Sequence, residues 1–204
     1  MKKNSRQDAI ERFPALPLRK YNKLNGEYDL YYPKTIANYV LTLPSKSYRG
    51  HIKMLGTELA ILTKRLGMGH LIFMGDLDVP WLYRDHDFKH AKTALQFLVD
   101  KKIGKRFNGA LQIDRNKLPA FTIHLAWLVR TNAVLPYIHF TEPEQSFIAE
   151  VCQYGNLHFY SITKKADKDI KAAFSESKFE LMTDMSCYNK FSKNSAIKGR
   201  KIKV

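Results

Sequence analysis

The sequence predicts an α+β fold, in which a mixed and partly antiparallel sheet packs against about four helices. An apolar stripe of helical spacing covers residues 48–66, and several short apolar runs bounded by glycine or proline are typical of strands. Residues 118–130 alternate and are rich in aromatic and β-branched side chains, which favours a strand and a hairpin over residues 120–140. If residues 118–130 are helical instead, strands and helices alternate strictly and an α/β fold with a parallel sheet is the alternative.

The first part of the chain is interpreted as a basic N-terminal arm, residues 1–26. A short helix over residues 7–13 ends at Pro14, because proline cannot continue a helix. Extended segments are expected at residues 28–32 and 36–43.

Two helices are predicted in the middle of the chain. The first covers residues 48–66 and ends at Gly67, and its stripe repeats at spacings of three and four: Ile52, Leu55, Leu59, Leu62 and Leu66. A buried strand follows at residues 70–74. The second helix covers residues 88–103, and a strand is expected at 107–113.

The last third of the globular part contains a predicted third helix after a strand at residues 134–140. Thr141 and Glu144 form a capping-box pattern with an early proline, so the helix would begin there and end near Gly155. A strand over 157–162 and a short helix over 167–174 complete a single α+β domain, residues 27–185. Residues 186–204 are expected to form a basic C-terminal tail.

Charge is the strongest functional signal in this chain of 204 residues. The formal net charge is +15, with +6 in residues 1–50, zero in 51–100, +3 in 101–150 and +6 in 151–204. Such a field attracts polyanions, since each phosphate that is neutralised releases counterions. No apolar run approaches the roughly 18 residues of a membrane span, and no apolar segment follows the basic start. The two cysteines could form one disulfide, but two free thiols are the favoured expectation. A cytoplasmic protein without a membrane partner is therefore predicted.

The predicted function is nucleic-acid binding through phosphate contacts. The candidate residues are cations at the end of the second helix and in the tail: Lys101, Lys102, Lys105, Arg106, Lys190, Lys193, Lys198, Arg200, Lys201 and Lys203. Tyr188 and Phe191 lie among the tail cations, and aromatic rings in such surroundings suit stacking on unpaired bases. The simpler alternative is that these cations only face solvent, at the end of a helix and in a soluble tail, and bind no ligand. A further alternative is an interaction module for an acidic protein partner.

An alternative function rests on Asp76 and Asp78, which follow the apolar run of residues 71–74. Two carboxylates at the end of a strand could hold Mg²⁺ or Mn²⁺ for phosphoryl transfer or nuclease activity, whereas the leading interpretation requires no cofactor. The run resembles the first motif of haloacid-dehalogenase-type phosphatases and the Asp-x-Asp of glycosyltransferases and primase-polymerases. The resemblance covers only these residues, and the simpler expectation is that the two aspartates cap a turn before Pro80.

Histidines and cysteines are expected to be structural. His124, His139 and His158 fall on predicted strands, where partly buried and satisfied histidines are common. Cys152, His158 and Cys187 do not have the sequence spacing of zinc ligands, which argues against a metal there.

Overall fold

The computed structural model describes residues 1–131, 135, 137–182 and 187–191. Its ten strands are β1 (Lys2–Asn4), β2 (Leu18–Asn22), β3 (Glu27–Tyr31), β4 (Ala37–Thr42), β5 (His70–Gly75), β6 (Ala110–Asp114), β7 (Ile138–Thr141), β8 (Phe147–Val151), β9 (Leu157–Ser161) and β10 (Glu180–Leu181). The helices of this described part are α1 (Arg6–Arg12), α2 (Tyr48–Arg65), α3 (Lys89–Asp100), α4 (Leu118–Thr131) and α5 (Lys164–Ser175).

Eight strands form one sheet in the order β1-β6-β5-β7-β8-β9-β4-β10, and β2 and β3 form a separate two-stranded ribbon. Every pairing between described strands is antiparallel. The α+β prediction is therefore confirmed.

One face of the sheet packs against the helices. Phe73 on β5 meets Phe140 on β7 and Phe121 on α4, with ring centroids 4.7 and 4.8 Å apart, and all three are buried. On the same face but nearer the β10 edge of the sheet, Phe159 on β9 packs edge-on against Phe174 on α5. Because side chains alternate along a strand, the residues between these aromatics point to the opposite face.

That opposite face is covered in part by the N-terminal segment. Ala9, Phe13 and Leu16 form a second small core with Ile72 and Met74 of β5. Moreover, β1 pairs with β6 at the edge of the sheet. Residues 1–18 are thus part of the globular fold, and what extends from it as a hairpin is the β2–β3 ribbon. The basic character of residues 1–26 does not prevent docking, since the segment's apolar side chains face the sheet and its two part-buried cations, Arg6 and Arg19, lie beside Asp78 and Asp76.

The strand favoured for residues 118–130 is wrong, because these residues form α4. The helix lies between α2 and α3, and buried side chains such as Phe121, Leu125 and Leu128 cover much of its circumference. A helix that is apolar on nearly all sides loses the 3.6-residue periodicity and can imitate strand alternation. None of the helices that the structure describes is both long and apolar enough to cross a bilayer.

The helix expected after Thr141 is also wrong, since residues 147–151 form β8. The side chain of Glu142 accepts hydrogen bonds from the backbone of Glu144 and Ser146, and so closes a tight loop between β7 and β8 in place of the expected helical cap. Gln145 at φ 55° reverses the chain in this loop. The antiparallel pairing of β8 with β7 and β9 then overrides the local helical signal.

Candidate nucleic-acid interface and the adjoining polar cluster

Asp76 lies directly after β5 and is almost completely buried, with 1% of its surface exposed. Its Oδ2 lies 3.0 Å from Nε of Arg19, at the base of the ribbon. The Arg19 guanidinium in turn lies 3.6 Å from the centroid of the Tyr137 ring, and its backbone N–H donates to the carbonyl oxygen of Asp76. The first carboxylate of the Asp-x-Asp pair therefore joins the ribbon to the sheet.

Asp78 is exposed and has different neighbours. Its Oδ1 lies 3.6 Å from Nε of Arg6 and accepts a hydrogen bond from the Asn108 side chain at 2.5 Å. Each aspartate thus faces a guanidinium from the N-terminal segment, which compensates its charge. A divalent cation bound by both carboxylates would have to replace Arg6 and Arg19.

Burial changes the protonation chemistry of Asp76. Loss of solvation raises its pKa to about 7, an effect that Arg19 opposes and the negative charge of Glu150 reinforces. A group with this pKa exchanges a proton near neutral pH, so the ionic link between the ribbon and the sheet depends on pH.

Next to Asp76, a polar row crosses the face of the sheet that the helices do not cover. His139 on β7, Glu150 on β8 and His158 on β9 are register neighbours. Glu150 lies 3.7 Å from Nε2 of His139 and 4.0 Å from Nδ1 of His158. Tyr160 donates a hydrogen bond to Glu150 at 3.4 Å. Tyr32 packs edge-on against both His139 and Tyr160, which encloses this row.

Enclosure shifts the pKa values of the row away from ordinary values. Burial lowers the pKa of His139 even though Glu150 acts in the opposite direction, so this imidazole is neutral. Burial also raises the pKa of Tyr160 to about 12. Sequence reasoning missed Glu150 because it assigned residues 147–151 to a helix. The alternation of Phe147, Ala149 and Val151 was the available signal.

The predicted cations at the end of the second helix are brought together at the surface. Lys101, Lys102, Lys105 and Arg106, here called the basic cluster, are all exposed. None of the four lies within ion-pair distance of an acidic group in the described part of the chain. Lys102 adopts φ 60°, which ends α3, and its carbonyl accepts a hydrogen bond from the Lys3 side chain. Lys3 therefore adds a fifth positive charge.

Hydrogen bonds connect the two residues that follow the basic cluster to the Asp76–Asp78 turn and its neighbours. Phe107 and Asn108 follow Arg106; the carbonyl of Phe107 accepts from the Trp81 backbone, and the carbonyl of Asn108 accepts from Arg6. Arg6 also contacts Asp78. The loop after α3 therefore lies beside the Asp76–Asp78 turn, which contacts the ribbon through Arg19. The cluster and the ribbon's base are consequently on the same part of the surface.

The ribbon itself carries exposed aromatic rings that sequence reasoning did not assign to a site. Tyr21 and Tyr28 face each other across its two strands, with ring centroids 5.2 Å apart, and Tyr31 lies further along β3. About half of each ring is exposed, and Leu24 at the tip is 98% exposed. Lys20 and Lys23 accompany these rings along the chain, as do Glu27 and Asp29, whereas Arg19 is held by Asp76. The sequence signal for these exposed rings was the alternation of side chains within residues 18–31.

The predicted tail residues divide into two groups. Lys190 lies 3.4 Å from Glu180, and Phe191 packs against Tyr48 and His51 of α2, so neither is a free tail residue. Tyr188 is half exposed. The other predicted phosphate contacts lie outside the described residues: Lys193, Lys198, Arg200, Lys201 and Lys203.

The structure also brings together the three residues whose spacing argued against zinc. Cys152, His158 and Cys187 each place a ligand atom within 4.8 Å of the others.

Comparisons with known protein families, with curated proteins and with solved structures find no match to this chain. Its function is therefore inferred from its own residues.

Proposed function

We propose that this protein binds nucleic acid, with the basic cluster contacting phosphates and the ribbon offering its tyrosines to bases. The observation that supports it best is the basic cluster, in which four exposed cations lie together without an acidic partner among the described residues. Like charges at such proximity repel one another, and a polyanion relieves this repulsion while releasing counterions.

The exposed tyrosines of the ribbon favour a nucleic acid with unpaired bases as the ligand. Exposed tyrosine rings beside cations stack on bases irrespective of sequence, and each stacked base contributes about 1–3 kcal/mol. Since Arg19 and Arg6 connect the ribbon to the loop after α3, one strand could contact both surfaces. The same surface charge would also suit an acidic protein, so the experiment has to distinguish the two ligands.

The test is fluorescence anisotropy with labelled single- and double-stranded oligonucleotides at several salt concentrations. We expect binding that weakens steeply with salt. The triple variant Lys101→Gln/Lys105→Gln/Arg106→Gln should weaken binding and lower the slope of log K against log salt by about 1 for each phosphate that is no longer neutralised. Lys102 is left unchanged because its left-handed backbone makes substitution effects harder to interpret.

The matched control is Lys164→Gln/Lys165→Gln/Lys168→Gln, which removes the same charge from exposed positions of α5 near the other edge of the sheet. Equal loss of affinity in both triple variants would show that only net charge matters and would contradict a localised interface. Absence of oligonucleotide binding even at low salt would refute the proposal, and retention of an acidic protein under those conditions would favour the interaction module.

A second prediction concerns the tail. Deletion of residues 192–204 removes five predicted phosphate-binding cations and should weaken oligonucleotide binding and its salt dependence. The melting temperature should change little, because that segment has no apolar periodicity, while Asn189 and Phe191 stay in place. Differential scanning fluorimetry and anisotropy on the same preparation check both statements. A large fall in melting temperature would show that the segment stabilises the fold.

A further inference from the structure

Three potential metal ligands from two distant parts of the chain meet at one end of the sheet. Cys152 follows β8, His158 lies on β9, and Cys187 belongs to the segment 187–191. Their ligand atoms all lie within 4.8 Å of one another, and the two sulfur atoms are 3.2 Å apart. Two sulfurs and an imidazole nitrogen are a set that zinc prefers.

Local structure explains why these residues converge. The turn between β8 and β9 is closed by a hydrogen bond from the Cys152 backbone N–H to the carbonyl of Asn156, and Gly155 at φ 82° permits the reversal. Asn156 also donates from its side chain to the carbonyl of Tyr188 at 3.3 Å, which holds the C-terminal segment against the turn. Cys187 is thereby placed next to Cys152, although 35 residues separate them.

The orientation of His158 suits a metal ligand. Its Nδ1 lies 4.0 Å from Oε1 of Glu150, whereas its Nε2 is buried, and the imidazole interacts with the sulfur of Cys187. A metal-bound histidine typically presents one ring nitrogen to the metal and the other to a carboxylate. Glu150 would be the positioning residue for this imidazole.

Both sulfur atoms receive hydrogen bonds that favour the thiolate form. The backbone N–H of Tyr154 donates to Sγ of Cys152, and the Asn156 side chain donates to Sγ of Cys187, each at 3.4 Å. The hydrogen bond between the two sulfurs lowers the pKa of Cys187 to about 5 and raises the pKa of Cys152, so one proton stays on the pair until a metal displaces it. Thiolates are the form of cysteine that binds metal.

A disulfide is the competing chemistry of this cysteine pair. It would require the sulfurs to be about 2.05 Å apart, whereas two Zn–S bonds of about 2.3 Å at a tetrahedral angle place them roughly 3.8 Å apart. The observed 3.2 Å is nearer to the second value. A disulfide would also leave the buried Nε2 of His158 without a partner, whereas zinc would satisfy it.

We propose that Cys152, His158 and Cys187 bind one Zn²⁺ ion, which joins the segment 187–191 to the β8–β9 turn. Binding leaves both sulfurs as thiolates and releases the remaining proton to solvent, while the neutral imidazole coordinates through Nε2. The ion would link the segment 187–191 to the turn, which Asn156 also does, and its fourth tetrahedral position would be filled by solvent because the described residues supply three ligands here.

The test is made on the full chain, purified and kept reduced. Zinc content is measured by mass spectrometry of the metal after gel filtration, and Co²⁺ is titrated anaerobically as a spectroscopic probe. We expect one zinc per chain, and with cobalt the sulfur-to-metal charge-transfer band and intense visible absorption of tetrahedral thiolate coordination. Both readouts use the unsubstituted protein, so they do not depend on a variant that folds.

Variants then assign the ligands. Cys187→Ser and His158→Gln should abolish stoichiometric zinc binding, whereas Glu150→Gln should weaken it about 10- to 100-fold. His70→Gln, a histidine outside the group, is the matched control and should retain full zinc. The proposal is overturned if the reduced chain binds no zinc and gives the weak spectrum of octahedral cobalt, or if Cys187→Ser retains the metal. A mass lower by two hydrogens before reduction, with no zinc after it, would establish the disulfide instead.

Discussion

Replacement of Asp76 by asparagine should remove a large pH dependence of folding stability. Burial raises the pKa of Asp76 to about 7 in the folded protein, while the unfolded chain titrates near 4. A group whose pKa is raised by folding stabilises the folded state fully below its unfolded pKa and loses that contribution as pH rises through the folded pKa. The free energy of unfolding of the native chain, relative to Asp76→Asn, should therefore fall between pH 4 and 7 and change little above pH 8.

The size of this difference has an upper limit of about 4 kcal/mol, since each pKa unit corresponds to about 1.4 kcal/mol. Urea denaturation of both proteins at pH 5 and pH 8 samples about two of these three pKa units, so a difference of up to about 2.7 kcal/mol is expected there. The comparison removes the opposite contribution of His139, whose pKa is lowered. Asp78→Asn is the matched control because Asp78 is exposed, and it should leave the pH dependence nearly unchanged.

The same proteins test the metal-dependent alternative. If Arg6 and Arg19 supply the compensating charge, Mg²⁺ or Mn²⁺ should not raise the melting temperature. If Mg²⁺ or Mn²⁺ raises the melting temperature of the native chain but not that of Asp76→Asn, the phosphoryl-transfer alternative is favoured. A parallel pH dependence in native chain and variant would contradict the raised pKa of Asp76.

Gly56→Ala is the second change with a large expected effect. Gly56 lies in the middle of α2, where alanine would ordinarily stabilise the helix by up to about 1 kcal/mol. Here an added Cβ would lie 2.7 Å from the carbonyl oxygen of Pro119 and 2.9 Å from its Cα, both backbone atoms of α4. We expect this overpacking to exceed the helical gain and to destabilise the fold by about 1–3 kcal/mol.

Gly50→Ala in the same helix is the control for Gly56→Ala. Its Cβ would meet the hydroxyl oxygens of Ser47 and Ser45 at 3.2 and 3.3 Å, and Ser47 is the N-cap that accepts from the Gly50 N–H. A weakened cap costs about 1 kcal/mol, which the helical gain of alanine offsets. The melting temperature of Gly50→Ala should differ little from that of the native chain, whereas each kcal/mol of destabilisation in Gly56→Ala lowers it by about 2–4 °C. Equal or higher stability of Gly56→Ala would mean that α2 and α4 are further apart than these distances imply.

Elements with one clear periodicity could be predicted from the sequence, and those governed by long-range packing could not. The stripe of α2 and the apolar run of β5 each follow from spacing alone, and the structure has both. Helix α4 is buried between two other helices, so its pattern carries no single exposed face. Strand β8 is fixed by its pairing with β7 and β9 on either side, whereas its own alternation is short and the capping-box pattern before it indicates a helix.

The candidate site shows the same division. The basic cluster could be found because charge is visible in the sequence and an exposed helix end keeps it at the surface. The partners of Asp76 could not, since Arg19 lies 57 positions earlier and meets it only when the ribbon folds back. Cys187 is likewise near His158 only through the route of the chain beyond β10.

The position of β4 has a consequence for how the protein folds during synthesis. This strand emerges early, yet its neighbours on both sides, β9 and β10, come from near the other end: Leu41 pairs with Leu157, and Thr42 with Glu180. Both of its backbone edges therefore stay unpaired until residues 157–181 have left the ribosome. Such non-local pairing slows folding and exposes strand edges to self-association in the meantime. A nascent chain paused before residue 157 would hold an apolar strand with no partner of its own, and this is the stage at which a chaperone would most benefit it.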